Sequence, residues 1–191
     1  MLSEKEILKD MTYTFDKPYG DDRLKEIIIY ISSKCQDDPT FGATKLNKIL
    51  YFSDFTSFSE CGEPVTGVEY MRLGQGPVPK HLIPVSEHMK AKHEIFIETR
   101  EYFGHEQLRV IPMREANIDI FKPRDIAIVD EVIRLLWGET ADRVSRMSHG
   151  IAWKMFQDKQ SIPYEAAYLS NASPTQEDID WAEELIAKNG W

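Results

Sequence analysis

The chain has 191 residues, of which 42% are hydrophobic and 11% aromatic, and its formal net charge at pH 7 is −9. This length favours one domain with a substantial core, and the aromatic content argues against disorder. A negative surface repels phosphate backbones, and the densest basic patch, residues 80–92, is diluted by Glu87. We therefore expect no nucleic acid partner for this chain alone, whereas a basic protein would be attracted.

The sequence carries no signal for export or for membrane insertion. No apolar run is long enough to span a bilayer, and residues 1–10 are charged and lack an apolar core segment. We therefore expect a cytoplasmic protein without a membrane partner. Cys35 and Cys61 stand far apart and form no CxxC pair, so reduced thiols are expected in that compartment.

The chain is predicted to consist of an N-terminal extension, residues 1–20, and a single domain, residues 21–191. A clear helix is predicted over residues 21–35, because Leu24, Ile27 and Ile31 form one apolar stripe. Aspartate and glycine residues then interrupt the pattern before the next helix.

The second predicted helix, for which Thr44 is the expected N-cap, is the centre of the fold. Leu46, Ile49 and Leu50 lie on one helical face. Aromatic residues widen that face until most of the circumference is apolar, namely Tyr51, Phe52, Phe55 and Phe58. A helix of this kind is normally covered from several sides, so the other segments are expected to pack around it.

Asp54 falls on the face of this central helix that should be buried. An unpaired buried carboxylate costs on the order of several kcal/mol, so Asp54 needs donors or a function. In the favoured interpretation it accepts hydrogen bonds from the backbone of the neighbouring loop and fixes that loop. The alternative is that Asp54, with Tyr70 on the following strand, belongs to a recognition cleft.

Residues 65–73 alternate as a strand that carries Tyr70, and residues 74–79 form a glycine- and proline-rich corner. A glycine loop after a strand suggests phosphate binding, but Pro77 and Pro79 remove two backbone donors and the third glycine of the dinucleotide fingerprint is missing. We predict instead a rigid, exposed corner that loses little entropy when a partner docks. The candidate partner contacts in it are Gly76, Pro77, Val78 and Pro79.

A short helix is predicted over residues 84–92, followed by a β-hairpin. Its strands are residues 94–103 and 108–111, with a turn at residues 104–105. The strand through Tyr70 is expected to extend this hairpin into one small antiparallel sheet.

Three helices are predicted in the last third of the chain. The first begins at Pro123 and ends before Gly138, and the second is capped by Thr140. The third begins with a capping box at residues 173–176. The predicted fold class is therefore α+β: a mostly helical single domain around a central apolar helix, with a small antiparallel β-sheet.

His149 and Trp153 are spaced one helical turn apart if Gly150 does not interrupt the helix. In the favoured interpretation, the histidine is hydrogen-bonded at a helix end and the tryptophan anchors the core. In the alternative, both side chains line a partner groove beside the corner at residues 76–79.

The residues give little indication of catalysis. The five histidines form no HExxH motif and no zinc ligand set, and there is no GxSxG motif. We therefore expect no metal, no cofactor and no enzymatic activity. A small hydrolase built on Asp54, His149 and one of the two cysteines is kept as a less favoured alternative.

Four segments carry a family resemblance. Residues 45–55 read Lys-Leu-Asn-Lys-Ile-Leu-Tyr-Phe-Ser-Asp-Phe, residues 62–70 read Gly-Glu-Pro-Val-Thr-Gly-Val-Glu-Tyr, and residues 76–79 read Gly-Pro-Val-Pro. A weaker match, Met-Ser-His-Gly-Ile-Ala-Trp, lies at residues 147–153. Together they resemble the Panacea domain, also called SocA-like, of bacterial and phage antitoxins.

The resemblance implies a cytoplasmic protein that neutralises a cognate toxin by binding it directly. In some relatives the antitoxin instead delivers the toxin to a protease, so a proteolytic adapter with a protease complex as second partner is the alternative. The flanking residues 1–20 and 171–191 are too short or too acidic to favour an added DNA-binding segment.

Overall fold

The computed structural model describes residues 11–169 of the chain, which form a mostly helical α+β fold, and the predicted fold class is confirmed. The helices of this part of the chain are α1 (Asp21–Lys34), α2 (Ala43–Cys61), α3 (Leu82–Ala91), α4 (Pro123–Leu136), α5 (Ala141–Met147) and α6 (Ile151–Met155). Short 3₁₀ turns lie at Ile118–Ile120 and Tyr164–Tyr168. The strands are β1 (Tyr70–Met71), β2 (Val78–Pro79), β3 (Ile95–Tyr102), β4 (His105–Pro112) and β5 (Ser161–Ile162).

Helix α2 lies at the centre, as its apolar circumference predicts. It contacts α1, α4 and α5, the strands β2 and β4, and the 3₁₀ turn at Tyr164–Tyr168. The helix begins at Ala43, after Gly42, and no side chain caps it, so the prediction of Thr44 as N-cap is wrong. It ends at Cys61, and the next residue, Gly62, has a φ of 72° that allows its N–H to reach the Phe58 carbonyl at 2.8 Å.

The strands form two separate antiparallel sheets. Strand β1 pairs with β2 and with β5, whereas β3 pairs with β4. The prediction that the strand through Tyr70 extends the hairpin is therefore wrong. That strand is also shorter than predicted, because the preceding residues bond elsewhere: the Thr66 and Gly67 carbonyls accept from the N–H groups of Gly20 and Phe15 at 2.8 and 3.0 Å.

Residues 12–20 pack against the rest of the fold. The ring of Phe15 lies 5.3 Å from that of Tyr164 and 6.1 Å from that of Phe58. The Thr12 carbonyl accepts a hydrogen bond of 2.8 Å from the Tyr164 N–H. The boundary between an N-terminal extension and the domain at residue 20 stays a prediction. The contacts described here join residues on both sides of it.

The remaining helices follow their sequence signals. Pro123 opens α4 and Gly138 follows its end with a φ of 73°. The hydroxyl of Thr140 accepts a hydrogen bond from the Arg143 N–H at 3.2 Å, which caps α5. The helix predicted from residue 173 lies outside the described residues, and none of the helices between residues 11 and 169 is long and apolar enough to cross a bilayer.

Candidate functional site

The carboxylate of Asp54 is fully buried and fully engaged. It accepts hydrogen bonds from the Thr66 N–H at 2.6 Å, the Thr66 hydroxyl at 2.5 Å and the Tyr70 hydroxyl at 2.7 Å. Burial raises the pKa of Asp54 to about 6, and these hydrogen bonds limit the rise. These contacts agree with the favoured interpretation, in which Asp54 accepts hydrogen bonds from the loop after α2 and fixes it. Neither Asp54 nor Tyr70 reaches the surface.

The corner at residues 74–79 is held from two sides. The ammonium of Lys48, on α2, donates to the Pro77 carbonyl at 2.9 Å, and the Ser145 hydroxyl, on α5, donates to the Gln75 carbonyl at 2.8 Å. Val78 and Pro79 form β2 and pair with Met71 and Tyr70 of β1. These contacts make the corner a fixed part of the fold.

The corner is less exposed than predicted. Gly74 and Gln75 are exposed, whereas Gly76, Pro77 and Pro79 are buried and Val78 is half-buried. The reason is the close approach at Gly76, whose φ is +102°: a Cβ there would lie 2.2 Å from the Ser148 hydroxyl and 2.8 Å from the Lys48 nitrogen. The expectation of an exposed corner is therefore wrong for most of it, and its role in partner binding stays a prediction.

His149 and Trp153 lie beside this corner. Their rings are stacked with centroids 4.0 Å apart and planes at 16°, and the Trp153 indole N–H donates to the Leu73 carbonyl at 2.8 Å. The guanidinium of Arg72 lies 4.1 Å from the centroid of the Trp153 ring, a cation–π contact. Both rings are half-buried, so they are in reach of solvent although they are fixed in place.

The side-chain nitrogen atoms of this region have few partners, and Arg72 pairs with Asp158 only at 3.5 Å. Lys48 is buried, and burial lowers its pKa to about 8. Burial also lowers the pKa of His149, and the nearby charges of Lys48 and Arg72 lower it further. Nε2 of His149 and Nε of Arg72 are buried and make no hydrogen bond to the described part of the chain. We call Lys48, Arg72, His149 and Trp153 the corner cluster.

The sequence predicted two members of this cluster and missed Lys48 and Arg72. The sequence did contain a reason to single out Lys48: it lies between Asn47 and Ile49 on a helix whose circumference is mostly apolar. A lysine in that position must be buried or extend past its neighbours to solvent. Arg72 carried no signal, because its contact with Trp153 joins two distant segments.

The groups of the hydrolase alternative lie in different surroundings. Asp54 is bonded to Thr66 and Tyr70, and Cys35 is a buried thiol whose pKa burial raises to about 12, with the Asp38 charge adding to the rise. His149 is stacked on Trp153. Between residues 11 and 169 no group of three or more histidine, cysteine or carboxylate side chains is placed to hold a metal ion.

The fold and the cluster therefore define a mostly helical α+β protein with a fixed aromatic and cationic site beside a glycine–proline corner. Residues 46–154 match the sequence model of the family described as antitoxin SocA-like, Panacea domain. Since the match covers more than half of the 191 residues, the chain belongs to this family. Comparison with curated proteins and with solved structures gave no match.

Proposed function

We propose that this protein is an antitoxin that neutralises a cognate toxin by direct protein–protein binding, without enzymatic activity, in the cytoplasm. The family match supports the antitoxin role. The observation that supports direct binding is the corner cluster, where the stacked rings of His149 and Trp153 and the Arg72 guanidinium stand at the surface in fixed positions.

Two physical properties suit this cluster to partner binding. Tryptophan and arginine are the side chains that most often dominate the binding energy of protein interfaces. Because the Leu73 carbonyl and the stacked His149 ring already hold Trp153, little conformational entropy is lost when a partner covers it. Of the predicted contacts, Gly76 lies against Lys48 and the Pro77 carbonyl accepts the Lys48 hydrogen bond, whereas Val78 and Pro79 pair with β1.

The experiment is co-expression with the protein encoded by the neighbouring open reading frame. We expect that protein to arrest growth alone and to be harmless beside this chain, and the two to co-purify. If the neighbour is harmless alone, or stays lethal beside this chain, the proposal is wrong. A pulse-chase measurement distinguishes neutralisation by blocking, which leaves the toxin's lifetime unchanged, from delivery to a protease, which shortens it.

The same assay tests the cluster. We expect Trp153→Ala and His149→Ala to weaken the affinity for the toxin at least tenfold. Ile83→Ala is a control, because Ile83 is a large apolar residue on α3 that is 75% exposed. Folding of each variant is checked by circular dichroism. A folded His149→Ala variant with unchanged affinity would remove this residue from the binding surface.

A further inference from the structure

The hairpin of β3 and β4 has an open edge. Strand β4 contacts α1 and α2, and β3 contacts α3. In the part of the chain that the structure describes, β3 pairs with β4 and with no other strand. The second edge of β3 therefore presents unpaired backbone groups, and such groups are a template for pairing with another strand.

The ladder between β3 and β4 is regular, and its hydrogen-bonded pairs involve the even-numbered residues of β3. At the base of the hairpin the Met113 N–H donates to the Glu94 carbonyl at 2.9 Å. At the tip, Phe103 and Gly104 have φ values of 48° and 77°, as a type I′ turn requires. In such a turn the first and fourth residues are hydrogen-bonded, and the first is Tyr102.

The other backbone groups of β3 point away from β4, because hydrogen-bonded and non-hydrogen-bonded pairs alternate along an antiparallel ladder. The N–H and C=O groups on the open edge therefore include those of Ile97, Thr99 and Glu101. Residues 11–169 offer them no hydrogen-bond partner. The strand also has no proline and no lysine, and its register has no bulge. These are features that protect edge strands from pairing.

The charged side chains of β3 favour one way of pairing this edge with a second copy of itself. If two copies of β3 pair antiparallel about a two-fold axis at Thr99, Glu98 of each copy lies opposite Arg100 of the other. Phe96 then lies opposite Tyr102, and both kinds of pair are favourable. An axis at residue 98 or residue 100 would instead place two glutamates or two arginines opposite each other, and these repel.

An apolar pocket lies at the base of the same edge. Its volume is about 410 Å³, and its lining includes Ile95, Phe96, Ile97 and Met113. Phe96 is 58% exposed and Met113 is 61% exposed. In the register described above, the turn of the second copy lies beside this pocket and brings Phe103, which is 87% exposed, to it. Burial of these apolar surfaces is a gain that becomes available only when another molecule covers them.

We propose that the open edge of β3 is a self-association surface, on which a second copy of this chain adds its own β3. The two hairpins then form one four-stranded antiparallel sheet, in which the backbone groups of residues 97, 99 and 101 bond to those of residues 101, 99 and 97. The ion pair of Glu98 with Arg100 within one strand, at 2.5 Å, is exchanged for the same pair between the strands. The surface shares no residue with the corner cluster, and the antitoxin proposal does not depend on it.

The edge is tested by Thr99→Pro in the full chain, with the dimer measured by sedimentation at increasing protein concentration. Proline at this position removes an outward N–H and no hydrogen bond to β4, so the chain should stay folded. We expect the dissociation constant of the dimer to rise by at least about tenfold. The matched control is Thr99→Val, which keeps the N–H and should leave dimer formation unchanged. Circular dichroism confirms that both variants are folded.

The register is tested by exchanging charges. Glu98→Arg and Arg100→Glu each place like charges opposite each other twice in the dimer, so we expect each variant alone to dimerise at least about tenfold more weakly. An equimolar mixture of the two variants should dimerise like the wild type, because every opposing pair between them is complementary again. A mixture that stays monomeric while the wild type dimerises would overturn this pairing.

The pocket contact is tested by Phe103→Asn. Asparagine before Gly104 gives the residue pair that a type I′ turn prefers, so the melting temperature of the monomer should not fall. The dimer should weaken by at least about tenfold, because the pocket of the second copy is no longer filled. Opposite responses of stability and dimer formation separate self-association from a structural role of Phe103.

The remaining outcomes decide between a second copy and another occupant of the edge. A wild-type chain that stays monomeric up to about 1 mM overturns the inference, and so does a dimer that Thr99→Pro leaves unchanged. If the wild type is monomeric and Thr99→Pro weakens its affinity for the toxin, the edge receives the toxin. The inference is then overturned, and the antitoxin proposal is supported.

Discussion

Two of the three buried charged side chains on α2, Asp54 and Lys48, have opposite surroundings. Asp54 accepts three hydrogen bonds from Thr66 and Tyr70. Lys48 donates one to the Pro77 carbonyl, and no carboxylate of the described residues forms an ion pair with it. The region around Asp54 is closed and its hydrogen bonds are satisfied, as a stabilising region requires. The region around Lys48 keeps unused hydrogen-bonding capacity beside a surface aromatic stack, which suits a binding site.

The largest expected effect follows from removing the carboxylate of the closed region. Asp54→Ala leaves the Thr66 N–H and the Tyr70 hydroxyl buried without an acceptor, so we expect the free energy of unfolding to fall by about 4 kcal/mol. Urea denaturation measures this. Tyr70→Phe, which removes a single donor, should cost about 1 kcal/mol. A loss below 1 kcal/mol for Asp54→Ala would show that the region is not closed.

The next effect concerns the corner. In Gly76→Ala the new Cβ would overlap the Ser148 hydroxyl and the Lys48 amine, at a φ of +102°, so we expect a loss of about 3 kcal/mol. Gly74→Ala is the matched control, because a Cβ there meets nothing within 4 Å. Equal stability of the two variants in urea denaturation would contradict the close packing of the corner on Lys48.

A smaller effect appears in the pH dependence of stability. Burial lowers the pKa of Lys48 from 10.5 to about 8, so between pH 8 and 9.5 the folded protein loses this proton while the unfolded chain keeps it. Stability therefore rises with pH in this window. Between pH 8 and 9.5 the free energy of unfolding of the wild type should therefore rise by about 2 kcal/mol more than that of Lys48→Met, which lacks the titrating group. Parallel curves of unfolding free energy against pH for the two proteins would show that Lys48 keeps its ordinary pKa.

The smallest effect concerns the surface stack. Trp153→Phe keeps an aromatic face for His149 and Arg72 but loses the hydrogen bond to the Leu73 carbonyl, so we expect a loss of about 1 kcal/mol. Trp137→Phe, at a tryptophan that is 45% exposed, should change the unfolding free energy by less than about 0.5 kcal/mol. Thermal unfolding of both variants gives the comparison, and equal losses would remove the special role of the Leu73 contact.

Local sequence patterns were sufficient for the longer helices and the hairpin, but not for the short strands β1, β2 and β5 or for the N-cap of α2. The apolar circumference around Leu46 and Ile49 predicted a central helix, and the cap at Thr140 and the proline at 123 marked helix starts that the structure has. Most of the failures concern pairing between distant segments. The strand through Tyr70 pairs with Ile162, 92 residues further along the chain, and no periodicity within one strand specifies such a partner.

The candidate site shows the same division. The cost of burying a charge was enough to predict that Asp54 needs donors. The pairing of His149 with Trp153 was suggested on the condition that Gly150 does not interrupt the helix; in the structure α5 ends at Met147 and α6 begins at Ile151, and the two rings stack although they do not share a helix. The sequence alone thus determined the family, the central helix and the need to satisfy one buried carboxylate, because these depend on residue type and short spacing. Only the tertiary structure decided that Arg72 and Lys48 join the aromatic pair and that the corner is packed inward, because these contacts depend on how far-apart segments meet.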